Sequence, residues 1–309
     1  MERWRGLGDR PAGWGRCVAT IGAFDGVHRG HQVIIGRAVE RAKAAGQPSV
    51  VVAFDPHPSE VVRPGSHPPV LTPLPRKADL LEQLGVDVFC ILPFTLAFSK
   101  QTPAEFIHNV LVEALHVSAI VVGENFRFGQ GAAGNIGTLA GLGDEFGFAT
   151  EGVGIASEGG TRFSSTAIRA SIAAGDVTAA TTALGRPHRI YGIVVRGDQR
   201  GREIGYPTAN LETTPFAAIP ADGVYAGRLL RADGSSLVAA ISVGTNPTFD
   251  GTQRRVEAYV LDFDGDLYGE HVAIDFVEHL RGQITFTDVA GLVDQIALDV
   301  RRTRDLLSP

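Results

Sequence analysis

Residues 17–31 read CVATIGAFDGVHRGH, and this stretch decides the fold of the first half of the chain. Cys17 to Phe24 is a short run of small and β-branched apolar residues, the pattern of a buried strand. From Gly30 to Ala45 the period changes: Ile34, Ile35, Ala38, Val39 and Ala42 fall on one side of a helix. A strand that passes through a glycine-containing turn into a helix opens an α/β unit. Its turn lies at the carboxyl edge of the sheet, where such proteins bind nucleotides. Gly22, Gly26 and Gly30 let the backbone approach a phosphate, and the amides of a helix start attract anions. His28 and His31 are three apart, so both can reach that amide cluster. Imidazoles donating to phosphate oxygens there would stabilise the charge that builds as pyrophosphate leaves. On these residues alone, a tight turn with two exposed histidines, or a metal site, explains the pattern as well.

Working outward, Ser49–Phe54, Val86–Leu92, Ser118–Val122 and Ala149–Ile155 read as further buried strands. Helical stretches alternate with them, one starting at Thr102-Pro103-Ala104-Glu105, which offers a cap, a first-turn proline and a capping-box glutamate. Strands alternating with helices imply a parallel sheet covered on both faces. The Pro-rich segment Arg63–Pro75 reads as a surface loop. After Gly185-Arg186-Pro187 the texture changes to strands at Arg189–Arg196, Gly223–Arg231, Ser236–Val243, Arg255–Phe263 and His271–Phe276, with turns such as Asp233-Gly234 and Asp264-Gly265. Only Val289–Leu307 is helical in this half. The expectation is an α/β domain, Met1–Gly185, followed by a small antiparallel barrel or sandwich with a carboxyl-terminal helix, Arg186–Pro309.

With 309 residues, each half is large enough to close its own core. A net charge of −6 argues against a general nucleic-acid or anionic-membrane binder. Cys17 and Cys90 are too few for a disulfide scaffold or a cysteine metal site. No apolar run is long enough to span a bilayer and the first sixteen residues lack a secretory pattern, so the expected location is the cytoplasm. Oligomeric state is not legible.

Three further segments of the first half carry polar or aromatic groups at strand ends: 54-FDPHP-58, 122-VGENFRFG-129 and 163-FSSTAIR-169. Ser164, Ser165 and Thr166 can cap a helix or bind phosphate, and Arg169 can add charge-assisted bonds. Arg162 can neutralise phosphate or sit in solvent. Asn125 can hold phosphate or ribose, or simply serve a turn. Phe54, His57 and Phe128 can bound an aromatic ligand, with core packing the alternative for the phenylalanines. In the second half, 192-GIVVRGDQRGREIGYPTAN-210 is a Gly/Arg-rich loop without the Gly-Lys-Ser/Thr of a Walker A sequence. Gly197, Gly201, Arg202 and Gly205 can hold phosphate, and Thr208 and Asn210 supply neutral oxygens suited to Mg²⁺.

Together these segments resemble the bifunctional riboflavin kinase/FMN adenylyltransferase family. His28-Arg29-Gly30-His31 is similar to the nucleotidylyltransferase His-x-Gly-His signature, and the three segments that follow it look like the adenylyltransferase module. The loop ending Pro207-Thr208-Ala209-Asn210, with 244-GTNPTF-249, 256-VEAYVLDF-263, Leu267-Tyr268-Gly269 and Leu280-Arg281, is similar to riboflavin kinases. The resemblance spans roughly Val18 to Leu306 and implies a Rossmann-like domain followed by a six-stranded barrel. It implies two Mg-ATP reactions, riboflavin to FMN in the second domain and FMN to FAD in the first, with the flavins as substrate and products. His28 and His31 would be catalytic in one site and Glu257 the general base in the other. Gly22, Phe24, Asp25, Gly30 and Asn125 would bind ATP with the serine–arginine segment, and Arg281 would contact flavin. The chain departs from the commoner pattern at Ala23, at Asn125 where many relatives carry Asp, and at Gly282–Phe286, which lacks the usual charges. Two other readings compete: an adenylyltransferase fold acting on another substrate, as a cytidylyltransferase does, and a flavin carrier with inactive sites. The downstream kinase segments weigh against the first and the intact polar residues against the second.

Overall fold

A computed structural model describes residues 1–154, 157–158, 161–245 and 254–307. The chain divides into two compact units, one made of Met1–Pro68 with Thr72–Ser164, the other of Pro69–Leu71 with Ser165–Pro309.

In the first unit the elements are β1 (Glu2–Trp4), β2 (Cys17–Ile21), α1 (Arg29–Ala45), β3 (Ser49–Asp55), α2 (Pro58–Val62), α3 (Leu74–Gln83), β4 (Val88–Pro93), α4 (Pro103–Phe106), β5 (Val117–Gly123), α5 (Ile136–Phe146) and β6 (Ala149–Val153). A short ribbon of β7 (Ser157–Glu158) and β8 (Thr161–Arg162) follows. The six longer strands form one parallel sheet in the order β1-β4-β3-β2-β5-β6. From β2 the chain steps outward through β3 to β4, then returns to the other side of β2 to place β5. That reversal opens a crevice beyond the carboxyl ends of β2 and β5, the position at which open α/β sheets bind ligands. The central strands β2 and β3 are buried along nearly their whole length, which is why their sequences are continuous apolar runs rather than alternations.

The helix expected over residues 30–45 is α1, and Ile35, Ala38, Val39 and Ala42 are its buried face, with Ile34 packed at the edge. The capping box at Thr102 is present: Thr102 Oγ1 accepts from the Glu105 amide at 3.2 Å and the Thr102 amide donates to Glu105 at 2.8 Å. Beyond Phe106 the helix widens to π pairing over Ile107–Ala114, which the apolar periodicity did not signal. Strand β1, helices α2 and α3, and the β7–β8 ribbon lie outside the sequence reading. Strand β1 pairs with the far edge of the sheet, and it is specified by a single buried side chain, Trp4. Helix α2 begins at Pro58 and helix α3 carries Pro75 in its first turn, because proline's fixed φ suits the first helical turn.

The second unit contains α6 (Ser165–Ala173), α7 (Val177–Leu184), β9 (His188–Val195), α8 (Arg200–Glu203), β10 (Ala209–Thr213), β11 (Gly223–Arg231), β12 (Ser236–Thr245), β13 (Arg254–Val260), β14 (His271–Arg281) and α9 (Val289–Leu307). The six strands close into an antiparallel barrel, β10-β13-β12-β11-β14-β9, sealed where Leu211 faces Val194. Burial along β9 alternates residue by residue, as one inward face requires. Inside are Val194, Leu211, Tyr225, Leu229, Ile241, Val256, Ile274 and Phe276. The sixth strand, β10, begins within the motif read as a loop, directly after Thr208.

The packing boundary at 164/165 falls upstream of the sequence boundary at 185/186. Helices α6 and α7 belong with the barrel: Val177 is part of the barrel core, and Ile168, Ile172, Ala180 and Leu184 cluster with Leu71 and Ala218. Their composition does not differ from that of the preceding helices, so no compositional shift marks the change.

Helix α9 is held by charge as much as by apolar contact. Asp299, 3% exposed, accepts from Arg281 at 2.7 to 3.1 Å and from Gln295 at 3.0 Å. Arg228 and Arg304 add bonds to the Leu307 carbonyl and the Asp262 carboxylate.

Candidate active sites

The loop between β2 and α1 is strained where the sequence suggested phosphate binding. Phe24 and Val27 take φ of 46° and 38°, in the left-handed region that side chains disfavour, and Gly26 lies between them at 91°. Among the contacts that fasten this loop, the Thr72 amide donates to Asp25 Oδ1 at 3.0 Å, and Lys77 Nζ donates to the Ala23 carbonyl at 2.7 Å. Asp25 is thus buried as an anchor of the loop.

His28 is the cap of α1, its Nδ1 accepting from the His31 amide at 3.2 Å. A neutral ring whose Nδ1 accepts carries its proton on Nε2, so the donor atom of His28 is set by the helix start. The two imidazoles stack with centroids 3.5 Å apart and planes at 20°, and the edge of Phe24 supports His31 at 5.2 Å. Gly30 packs tightly here, since a Cβ on it would lie 3.1 Å from the His28 ring and 3.4 Å from the Phe163 carbonyl. Gly22 closes β2, and across the crevice Asn125 is exposed just beyond β5. Ser164 ends the first unit, whereas Ser165, Thr166 and Arg169 belong to the second, where Arg169 Nε donates to the Pro69 carbonyl at 2.6 Å. Arg162 lies on β8, and its side chain is outside the described residues.

At the carboxyl ends of the same strands lies a cavity of about 650 Å³. Ile21 of β2, Phe54 of β3, Phe94 after β4, and Phe126 and Phe128 after β5 line it, joined by Phe98 and Phe106. Phe126 and Phe128 stack at 5.4 Å, and Phe54 meets Phe94 edge-on at 5.5 Å. Phe54 and Phe128 therefore both line this cavity. The sequence reading did not single out Phe94, Phe98 and Phe106, which lie between β4 and β5 outside any motif, nor Phe126, which lies within 122-VGENFRFG-129. His57 caps α2, its Nδ1 accepting from the Ser59 amide at 3.2 Å.

The barrel carries two adjoining cavities. One, about 470 Å³, is lined by Arg196, Gly197, Arg202, Phe263, Leu267 and Tyr268 among others; the second, about 290 Å³, by Asp198, Gly201, Ser242, Arg255 and Glu257 among others. Thr208 and Asn210 line both. Pairing explains the convergence: Asn210 on β10 lies opposite Glu257 on β13, which lies opposite Ser242 on β12. Thr208 Oγ1 donates to Glu257 Oε2 at 3.2 Å. Gly197 permits this packing, because a Cβ there would come within 2.4 Å of the Asn210 amide group. Gly205 sits in the turn after α8 at φ 83°. Arg281 faces α9 through its pair with Asp299 and is absent from the walls of both cavities. The segment Asn246–Phe249 lies outside the described residues.

The two units, a nucleotide-type crevice and a barrel with paired cavities, correspond to two known profiles. The FAD synthetase family profile matches residues 11–167 and the riboflavin kinase profile residues 184–307. The chain is 39% identical over 311 residues to the bifunctional riboflavin kinase/FMN adenylyltransferase of Pseudomonas fluorescens, covering 100% of this chain and 99% of that one. The chain belongs to the bifunctional riboflavin kinase/FMN adenylyltransferase family. The Escherichia coli K12 member is 37% identical over 289 residues, spanning 94% of this chain and 92% of its own. A Streptococcus pneumoniae crystal structure, titled a macrolide-efflux protein, superposes with a TM-score of 0.88 at 32% identity over 98% of both chains. No described helix here is long and apolar enough to cross a membrane. The family assignment makes the protein a two-reaction enzyme: riboflavin kinase in its carboxyl-terminal part and FMN adenylyltransferase in its amino-terminal part, both using ATP.

Proposed function

We propose that the two reactions run at the sites just described, with the residues in the following roles. In the barrel, Glu257 takes the proton from the riboflavin 5′-hydroxyl as that oxygen attacks the γ-phosphorus of ATP; the γ-phosphorus–oxygen bond to ADP breaks as the new one forms. Thr208 and Asn210, together with phosphate oxygens, would hold Mg²⁺, which supplies charge neutralisation in phosphoryl transfer. Their neutral oxygens suit that hard ion, and they lie on the partition between the two cavities. Gly197, Gly201, Arg202 and Gly205 place backbone amides and positive charge around the phosphates. Arg281 acts on flavin through the strand end that its pair with Asp299 fixes.

In the first unit an FMN phosphate oxygen attacks the α-phosphorus of ATP, and pyrophosphate leaves. His28 and His31, at the amide-rich start of α1, stabilise the leaving charge, while Gly22, Phe24, Gly30 and Asn125 border the nucleotide in the crevice between β2 and β5. Asp25 serves by holding that loop in place. Arg162 and Ser164 add nucleotide contacts within this unit, and Ser165, Thr166 and Arg169 are read as ATP-binding on the 163-FSSTAIR-169 motif alone. The aromatic cavity takes the flavin ring between Phe54 and Phe128, and His57 orders the turn beside it. Met1–Gly185 and Arg186–Pro309 are the two catalytic modules, and the cytoplasm is the compartment, in keeping with two buried, unbridged thiols.

The observation that carries this reading is the 3.2 Å hydrogen bond from Thr208, which lines both cavities, to Glu257, which lines the smaller one. Incubation with riboflavin, Mg²⁺ and ATP, following FMN and FAD separately, tests it. His28→Ala with His31→Ala is expected to stop FAD formation while FMN accumulates. Glu257→Gln is expected to slow FMN formation and spare FAD synthesis from supplied FMN. Loss of both steps in either folded variant would refute the assignment of roles.

A further inference from the structure

Riboflavin and FMN carry the same tricyclic ring, so the six phenylalanines around the cavity of the first unit cannot tell them apart. The discrimination matters in a chain that handles both. Riboflavin in that cavity has no phosphate with which to attack ATP and would only block it.

The charged side chains on the cavity wall are Arg63, Lys100 and Arg127, and the wall includes no Asp or Glu. In the whole sequence the balance is opposite, 34 acidic residues against 28 basic. All three cations are exposed, at the end of α2, after Phe98–Ser99, and between the stacked Phe126 and Phe128. Among the described residues none of the three has a carboxylate within ion-pairing distance; Arg127 Nη1 donates only to the Phe126 carbonyl, at 3.0 Å. An apolar slot bordered by uncompensated positive charge favours a flat aromatic molecule that carries negative charge at one end.

We propose that Arg63, Lys100 and Arg127 are specificity determinants that select phosphorylated flavin over riboflavin for adenylyl transfer. The proposal rests on reading this cavity as the flavin site. Ring burial supplies affinity common to both flavins, and the cationic border supplies the difference between them.

The test uses the full chain, supplied FMN, and lumiflavin, which has the ring but neither ribityl chain nor phosphate, as competitor. In R63Q/K100Q/R127Q the KM for FMN should rise about tenfold, with kcat changed far less. The inhibition constant of lumiflavin and the KM for ATP should stay within about twofold of the parent values, because those molecules do not use this charge difference. Added salt should raise the parent's KM for FMN and affect the variant less. The single variant K100Q, at an exposed position, should show the same split at about threefold should the triple variant fold poorly. An unchanged KM for FMN, a parallel weakening of lumiflavin, or a loss that falls on ATP would each overturn the proposal. Lumiflavin failing to compete with FMN in the parent enzyme would instead defeat the flavin reading of the cavity, and the proposal with it.

Discussion

Thr208 on the approach to β10 and Glu257 on β13 are joined by a 3.2 Å hydrogen bond, though 49 residues separate them in the chain. The bond directs the Thr208 hydroxyl hydrogen toward the carboxylate, which leaves the hydroxyl's lone pairs directed elsewhere, as the proposed cation contact requires. In the proposed roles, this contact would couple a general base and a metal-holding oxygen in one geometry.

Phosphoryl transfer depends more on positioning and charge neutralisation than on proton removal. Thr208→Ala with Asn210→Ala should therefore lower kinase kcat more than Glu257→Gln does, by at least about tenfold between the two, given that a general base contributes on the order of 10²- to 10⁴-fold. Thr208→Ser, which keeps the hydroxyl, should retain most activity. A Mg²⁺ titration of the kinase step should move to higher concentration in Thr208→Ser only slightly, and in the double variant strongly.

The Arg281–Asp299 pair is nearly enclosed, with Asp299 3% exposed. Removing one member of a buried pair leaves the other charge without compensation, at a cost of about 3–5 kcal/mol. Asp299→Ala should lower the barrel's resistance to urea by about that amount, while Asp299→Asn, which keeps an acceptor, should cost less. Equal losses in the two variants would show that the lost charge, rather than the acceptor that Asn keeps, carries the cost.

Cys17 and Cys90 are buried in the first unit, and burial pushes both thiols up from 9.0 to about 12. Neither should react with a disulfide reagent at pH 8 until the chain is unfolded, when two thiols per chain should appear. Their linkage to folding has one sign. The unfolded chain ionises these thiols above about pH 9 while the folded chain keeps them protonated, so stability should fall as pH climbs from 9 towards 12. Urea midpoints measured across that range, with Cys17→Ala as comparison, check it.

Helix α7 buries Val177 in the barrel core, and Thr178 bonds to Glu278 on β14. A fragment starting at Ser165 should accordingly melt above one starting at Arg186, since burying one valine is worth roughly 1.5 kcal/mol or more and the Ile168–Leu184 cluster adds to it. Thermal melts of the two fragments, with their kinase rates, distinguish a catalytic boundary at 185 from a folding boundary at 164.

The parallel sheet was legible because β2, β3, β4 and β5 are buried on both faces and so are apolar throughout, and α1 because its buried face repeats at helical spacing. Strand β1 was not, because three residues with one buried tryptophan have no period to read. Strand β10 was hidden because Ala209 to Thr213 mixes polar side chains into a segment dominated by its phosphate-loop motif. The motifs named Thr208, Asn210 and Glu257 without any indication that they meet.

The order of the chemical groups along the chain, strand–glycine turn–histidine helix and then the Pro-Thr-Ala-Asn loop, was determined by the sequence, because each is a local pattern of residue types. Tertiary structure alone decided which phenylalanines share a cavity, which side of 185 the helices α6 and α7 join, and that Arg281 turns to Asp299. Those outcomes depend on strand order and on pairing between residues far apart in the chain, where the energy comes from enclosure that no local window contains.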